Sequence, residues 1–409
     1  MQRTKRSGQE HVILSVGLFL LIVSALCVTS VTLKISHWRI IGFEKECYSI
    51  LTDIGFLSLI VGGMCVCAAI FLKHDSTKRI VHAAILNMSL FFGGIVVACI
   101  VLETFLYVKY HDVQIGGVVS PSRYTFYPKY YQLNANGFRD SNHLLHKPEG
   151  VNRMVFVGDS FTFGAGVKRV SDVYFKVLER ALQKAYPEEV FESVSIAKKG
   201  WNTVQEFEAF KTQGVNFKPD LVVLGYVLND AETQKIKARV SSEFHNDHLL
   251  PYPYGKFLYA NSFTYFIIEQ KVKAVSFLRD KSKEKQQYIR EIFSGDNLKQ
   301  HETILRDFLA FVQAQDMRIL VVLFPDLRQI HDPDYPYTDI HQFVAQTVRE
   351  AGAEFVDLFV PLQNSGITNV TVSEFDSHPN EDVHEIAGTE LFHAIKDKRL
   401  LPKSISLVE

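Results

Sequence analysis

The apolar residues of this chain are unevenly distributed, and that division limits what it can fold into more than any other feature. Val12–Leu33 is apolar and uncharged, a second apolar run covers Ile54–Leu72, and a third, about Ile80–Val108, carries only His82 and Glu103. At the α-helical rise the first run makes a helix about 33 Å long, enough to cross a hydrocarbon core of about 30 Å. All three are expected to be transmembrane helices, at about 12–33, 54–72 and 80–108, with residues 1–110 forming a membrane domain. A cleaved signal peptide is the alternative for the first run, since Arg3, Lys5 and Arg6 precede it. The run is long for that, no small-x-small site follows, and Leu26 before Cys27 fits no lipoprotein signal.

The basic residues set the expected orientation. Arg3, Lys5 and Arg6 lie before the first run and Lys73, Lys78 and Arg79 before the third, while Lys34, Arg39 and Lys45 follow the first. The loops are nearly balanced, so the N-terminus decides, and three spans put the rest of the chain outside the cytoplasm. The expected location is an inner membrane with a periplasmic domain. Glu103, a costly residue inside a span, is expected near the interface, snorkelling or paired with Lys109.

Cysteine and charge exclude several functions. Cys27, Cys65, Cys67 and Cys99 lie in the apolar runs, Cys47 lies between two of them, and no cysteine follows residue 110. The large C-terminal part can therefore build neither a disulfide framework nor a cysteine zinc site. With a formal net charge of -1, nothing favours nucleic acid as a partner.

Residues 111–150 read as a connector rich in aromatics (Tyr124, Phe126, Tyr127, Tyr130, Tyr131), suited to a membrane interface or to packing on the next domain. From 151 to 409 the pattern is α/β. Apolar strands are expected at Met154–Val157, Val190–Ile196, Leu221–Tyr226, Ile319–Phe324 and Phe355–Phe359. Helical patterns lie between them, such as Tyr174, Val177, Leu178, Ala181 and Leu182. Short, fully apolar strands alternating with amphipathic helices predict a parallel sheet covered on both faces. Residues of about 231–297 break the rhythm with a polar, aromatic stretch (Tyr252, Tyr254, Tyr259) and a charged helix near Lys271–Ile292. This insertion is expected to cap the site.

The chemistry-bearing residues lie at expected strand ends. Val155–Val157 runs into Gly158-Asp159-Ser160, where an open parallel sheet binds its ligands. Asp376-Ser377-His378-Pro379-Asn380 precedes a helical stretch at about Val383–Ile395, and a serine hydroxyl needs a carboxylate-oriented imidazole to become a nucleophile. Gly200 and Asn229 follow the second and third strands, where a backbone N–H and a side-chain amide could face an oxyanion. Each also has a plainer reading: Ser160 as a helix cap, His378 as a surface histidine, Gly200 and Asn229 as turn residues.

Together the four blocks resemble the SGNH (GDSL-type) hydrolase superfamily, from about Leu133 to Lys396. The phrase Gly-Asp-Ser-Phe-Thr-Phe-Gly-Ala-Gly is a specific match, and Leu133-Asn134-Ala135-Asn136-Gly137-Phe138-Arg139 resembles a segment of membrane-linked bacterial members. The resemblance implies a three-layer α/β/α domain with a five-stranded parallel sheet and a Ser–His–Asp site. Ser160 would be nucleophile and first oxyanion donor, with Gly200 and Asn229 as second and third. His378 would be the base, oriented by Asp376. The chain departs from the pattern in three places. Gly225 stands four residues before Asn229 instead of two. Phe375 occupies the usual Asp position, which leaves Asp376 with Glu374 as substitute. Val383 replaces the Gly before His384, which makes His384 a helix-start residue. A metal held by Asp376, His378 and His384 would leave Ser160, Gly200 and Asn229 without a purpose, so neither metal nor cofactor is expected.

The resemblance implies hydrolysis of a small acyl ester, foremost acetyl, on an envelope glycan or lipid. Acetyl transfer to a cell-surface polysaccharide is the alternative, and would need a separate multi-span acyl-donor partner. A catalytically silent glycan-binding module is the third reading.

Overall fold

A computed structural model describes residues 78–115, 120–124, 126–233, 236, 248–275 and 281–401. The apolar runs at 12–33 and 54–72 lie outside the described residues. The chain divides into two units, residues 1–109 with 245–271 and residues 110–244 with 272–409.

In the first unit the third apolar run forms helix α1 (Lys78–Tyr110), 33 residues long. Its described half exposes Phe91, Ile95, Val97, Ile100, Val101, Phe105 and Val108. Taken over the described residues alone, no helix is long and apolar enough to cross a membrane.

The connector adds a short helix, α2 (Phe126–Tyr130), and belongs to the second unit. It is therefore part of the α/β body. Arg139, 1% exposed, reaches the loop after the first strand and donates to the carbonyls of Gly164 at 2.5 Å and Val167 at 2.6 Å. Asp140 accepts from the Ser195 amide at 2.9 Å. Arg139 and Asp140 thus fasten the connector beside two strands.

The α/β unit runs β1 (Val151–Gly158), α3 (Ser160–Phe163), α4 (Tyr174–Ala185), β2 (Val190–Ala197), α5 (Thr203–Thr212) and β3 (Leu221–Val227). The insertion contributes α6 (Tyr254–Asn261) and α7 (Phe263–Val275), which fall in the first unit to residue 271, and then α8 (Lys281–Ile292). The chain closes with α9 (Gly295–Gln313), β4 (Arg318–Phe324), α10 (Thr338–Glu350), β5 (Glu354–Asp357) and α11 (Phe359–Asn364). A short hairpin of β6 (Thr371–Ser373) and β7 (Asp376–Pro379) then leads into α12 (Glu381–Lys398).

The five strands β1 to β5 are parallel in the order β2-β1-β3-β4-β5. Alternation of side chains makes two cores from one sheet. Val155, Val157, Val222, Leu224, Val321 and Leu323 pack with Phe210 of α5, Phe308 of α9 and Val344 of α10. Met154, Phe156, Val223, Leu320 and Val322 pack with Phe175 and Leu178 of α4 and Val383, Ala387 and Leu391 of α12. A sheet buried on both faces explains why its strands read as continuous apolar runs. The expected three-layer α/β/α domain is present.

Two expectations need correction, and a third gains partners. The fifth strand ends at Asp357, because its carboxylate accepts from the Phe359 amide at 2.9 Å and turns Phe359 into a helix. The charged helix near Lys271–Ile292 is two helices, α7 and α8, with 276–280 outside the described residues. Glu103 has partners that its own stretch of sequence does not suggest. Its carboxylate accepts from the amides of Phe263 at 2.8 Å and Thr264 at 2.9 Å and from Ser262 Oγ at 2.8 Å. Ser262 Oγ in turn accepts from the Tyr265 amide at 3.1 Å, so the orphan donors at the start of α7 are met by a residue from α1.

Candidate active site

Strand β1 has β2 on one side and β3 on the other, so the chain reverses direction of travel across the sheet there, and the crevice at its carboxyl end is the natural ligand position. Gly158 and Gly225 stand side by side at that end. A Cβ on either would meet Thr162 Oγ1 at 2.2 Å. The gap left by the two glycines admits Thr162, whose hydroxyl lies 2.9 Å from that of Tyr174, and this lets α3 start directly above the strand. Gly225 therefore serves packing here.

Asp159 caps α3, accepting from the Phe161 amide at 2.8 Å. Ser160 is the first residue of the helix, 8% exposed, and its Oγ donates to Asp159 Oδ2 at 3.1 Å. The Asn229 side chain lies close enough to Asp159 to act on its carboxyl. Burial pushes the Asp159 carboxyl up, against the opposing pull of the Phe161 amide, His378, Ser160 and Asn229.

The Asp376–His378 pair sits on β7, on a strand the sequence did not announce. His378 Nδ1 hydrogen-bonds Asp376 Oδ1, and the His378 amide donates to the same oxygen at 3.0 Å. The Phe161 and His378 ring centroids are 5.7 Å apart, so the imidazole faces the turn that carries Ser160. Burial would raise the Asp376 carboxyl, but the His378 hydrogen bond and charge, with Gln114, hold it below its ordinary value. Glu374 accepts from the Tyr110 hydroxyl at 3.0 Å, and His378 is served by Asp376.

Gly200 sits in the turn closed by the Trp201 amide on the Lys198 carbonyl, with φ +74°. A positive φ at the third turn position is what glycine supplies. Beside it, the Lys199 ammonium lies 3.7 Å from the Tyr127 ring centroid and 4.7 Å from that of Tyr131. Burial lowers Lys199 to about 8, against the pull of Asp376.

Asn229 lies in a 3-10 turn (Leu228–Ala231) after β3, and its neighbour Asp230 accepts from the Val227 amide at 2.7 Å. His384, in the first turn of α12, is fully buried and stacked on Tyr174 with centroids 6.0 Å apart. Among the described residues no cluster of His, Cys, Asp or Glu is arranged to hold a metal ion. Ser160, Asn229, Asp376 and His378 thus converge at one end of β1, with Gly200 at the end of the adjoining β2. Sequence reasoning missed Gln114, whose Nε2 donates to Asp376 Oδ2 at 2.5 Å. No local pattern marks it.

Residues 156–386 match the GDSL-like Lipase/Acylhydrolase family. Solved structures similar to the chain include TesA, at 12% identity with a TM-score of 0.37, covering 60% of this chain and 98% of that one. Another is the psychrotrophic esterase EstA from Pseudoalteromonas, at 13% and 0.37, covering 61% and 98%. A third is an acetyl-xylooligosaccharide esterase, Axe2, from Geobacillus, at 17% and 0.38, covering 60% and 94%. No curated protein matches the sequence.

Proposed function

The chain belongs to the GDSL-like lipase/acylhydrolase family and is a serine ester hydrolase, and from that premise we propose that Ser160, His378 and Asp376 perform the hydrolysis on a small acyl ester. The observation that carries this reading is the Asp376–His378 pair facing the turn of Ser160. Asp376, accepting from Nδ1, leaves Nε2 as the basic nitrogen, and Ser160 Oγ turns from Asp159 toward it to lose its proton. Attack gives a tetrahedral oxyanion, met by the amides of Ser160 and Gly200 and by the Asn229 side chain. His378 returns the proton to the leaving alcohol, and water releases the acyl group by the same path.

A small acyl group, acetyl above all, suits a nucleophile only 8% exposed, with the Phe161 ring beside it packed on Phe324 at 5.5 Å. Trp201, half-buried next to Gly200, offers a face to a sugar ring. An envelope glycan or glycolipid is the proposed carrier of the ester. The proposed location is the membrane, by the apolar runs before residue 109 and the exposed apolar side chains of α1, with the α/β unit on the outer side.

The test is labelling of the full chain by a fluorophosphonate, alongside turnover of an acetyl ester. Ser160→Ala should lose both while remaining folded; a variant still labelled would refute the assignment. For location, a reporter active only outside the cytoplasm should work when fused after Glu409 and fail when fused between Lys73 and Arg79. The reverse pattern would exclude envelope glycans as direct substrates.

A further inference from the structure

Gln114 is 1% exposed and lies in the connector, four residues beyond the end of α1. Its side chain bridges two elements. Nε2 donates to Asp376 Oδ2 at 2.5 Å, and Oε1 accepts from the Tyr131 hydroxyl. The Tyr131 oxygen itself accepts from the Gly166 amide at 2.6 Å. The Gln114 backbone is held as well, with its carbonyl accepting from Ser373 Oγ of β6 at 3.1 Å.

The direction of every bond in this chain is determined. An ionised carboxylate can only accept, so the Gln114 NH2 faces Asp376 and Oε1 faces Tyr131; the hydroxyl gives Oε1 its proton and takes the Gly166 N–H on a lone pair. A flipped amide would set Oε1 against the Asp376 carboxylate, oxygen on oxygen, so the side chain keeps this orientation. Asp376 then meets three donors: Gln114 Nε2 on one oxygen, and the amide and Nδ1 of His378 on the other. A carboxylate surrounded only by donors is ionised and keeps the imidazole proton on Nδ1. Gln114 Nε2 also lies 3.4 Å from His378 Nδ1, the two donors meeting the two oxygens of one carboxylate.

We propose that Gln114, oriented by Tyr131, is a positioning residue that fixes the Asp376 carboxylate and thereby the His378 tautomer with Nε2 free. This rests on the Ser160–His378–Asp376 reading above. The bland role of a buried glutamine is to satisfy its neighbours and support the fold, and that role would leave the titration of the imidazole unchanged.

The test uses the full chain in detergent micelles, with acetyl-ester hydrolysis followed across pH for the wild type, Gln114→Ala, Gln114→Glu and Tyr131→Phe. Gln114→Ala should lower kcat about tenfold or more with KM within about twofold, because the orientation it supplies matters in the transition state. Gln114→Glu should move the acid limb of kcat/KM upward by about half a pH unit or more, because a second carboxylate favours the imidazolium. Tyr131→Phe, which removes the donor that holds Oε1, should lower kcat a few-fold. Wild-type kcat and superimposable acid limbs in all three variants, with Ser160→Ala inactive, would overturn the proposal. So would activity that falls only in step with folded protein while the limb stays in place. If Ser160→Ala kept the wild-type rate, the triad itself would fail, and the positioning role with it.

Discussion

Strand β7 and the first turn of α12 each carry a histidine, six residues apart, in opposite surroundings. His378 is partly open, with 22% of its side chain exposed, and holds a carboxylate on one nitrogen. His384 is fully buried; burial above all, then the charges of Arg139 and His378, lowers it to about 3. Its Nδ1 lies 3.4 Å from the Tyr174 amide, which donates to it. A useful base needs both a carboxylate to favour its charged form and an open side toward the substrate; burial alone gives an imidazole that does not titrate near neutrality. The turn after β3 repeats the contrast. Asn229 is half-buried and borders Asp159, whereas Asp230 is 2% exposed and spent on the Val227 amide.

The sharpest way to break this contrast is to delete each histidine in turn. His378→Ala should cost at least about a thousandfold in acetyl-ester turnover, by loss of the base, with a melting temperature close to wild type. His384→Ala should leave turnover per folded molecule within about threefold and lower the melting temperature instead. A reversal of the two would put the base at the wrong histidine. Next in size, Asn229→Ala should slow the chemical step by about a hundredfold to a thousandfold, with KM changed far less. Asp230→Ala should spare that step and cost about 1–3 kcal/mol of stability, because the buried Val227 amide loses its acceptor. Single-turnover rates and denaturation on the same preparations separate these outcomes.

The smallest effect is in acid. A histidine whose folded value lies below 6.5 binds its proton first in the unfolded chain, so its cost is absent above about 6.5 and grows as pH falls toward about 3. His301, lowered by burial to about 4, acts in the same direction. Between pH 7 and pH 5 the wild type should therefore lose about 2 kcal/mol more than His384→Gln, read from denaturant midpoints at the two pH values. Equal losses would mean that His384 is protonated in the folded state.

The sheet was legible in the sequence because strands buried on both faces must be apolar throughout, as Val155–Val157 and Leu221–Leu224 are. Ser160 could be placed at a strand end for the same reason. The hairpin that presents His378 was not legible: β6 is three residues long and β7 four, too short for alternation to show. Gln114 lies 262 residues from Asp376, and a contact of that range leaves no mark on either local sequence. Arg139 was legible only as part of a resembling phrase, without its purpose of holding the loop after α3. Glu103 was noticed for its cost in an apolar run, but its partners lie about 160 residues on, at the start of α7.

That last contact makes α7 dependent on a distant part of the chain. Its first amides are satisfied by a carboxylate from α1, so a peptide covering residues 254–275 alone would fray at Phe263. In isotope exchange the amides of Phe263 and Thr264 should give up their protons slowly in the intact chain, and Glu103→Ala should speed them while leaving the amides of β1 untouched. The two deuterium clocks, read in one protein, would report separately on the unit that holds α1 and on the sheet that leads to Ser160.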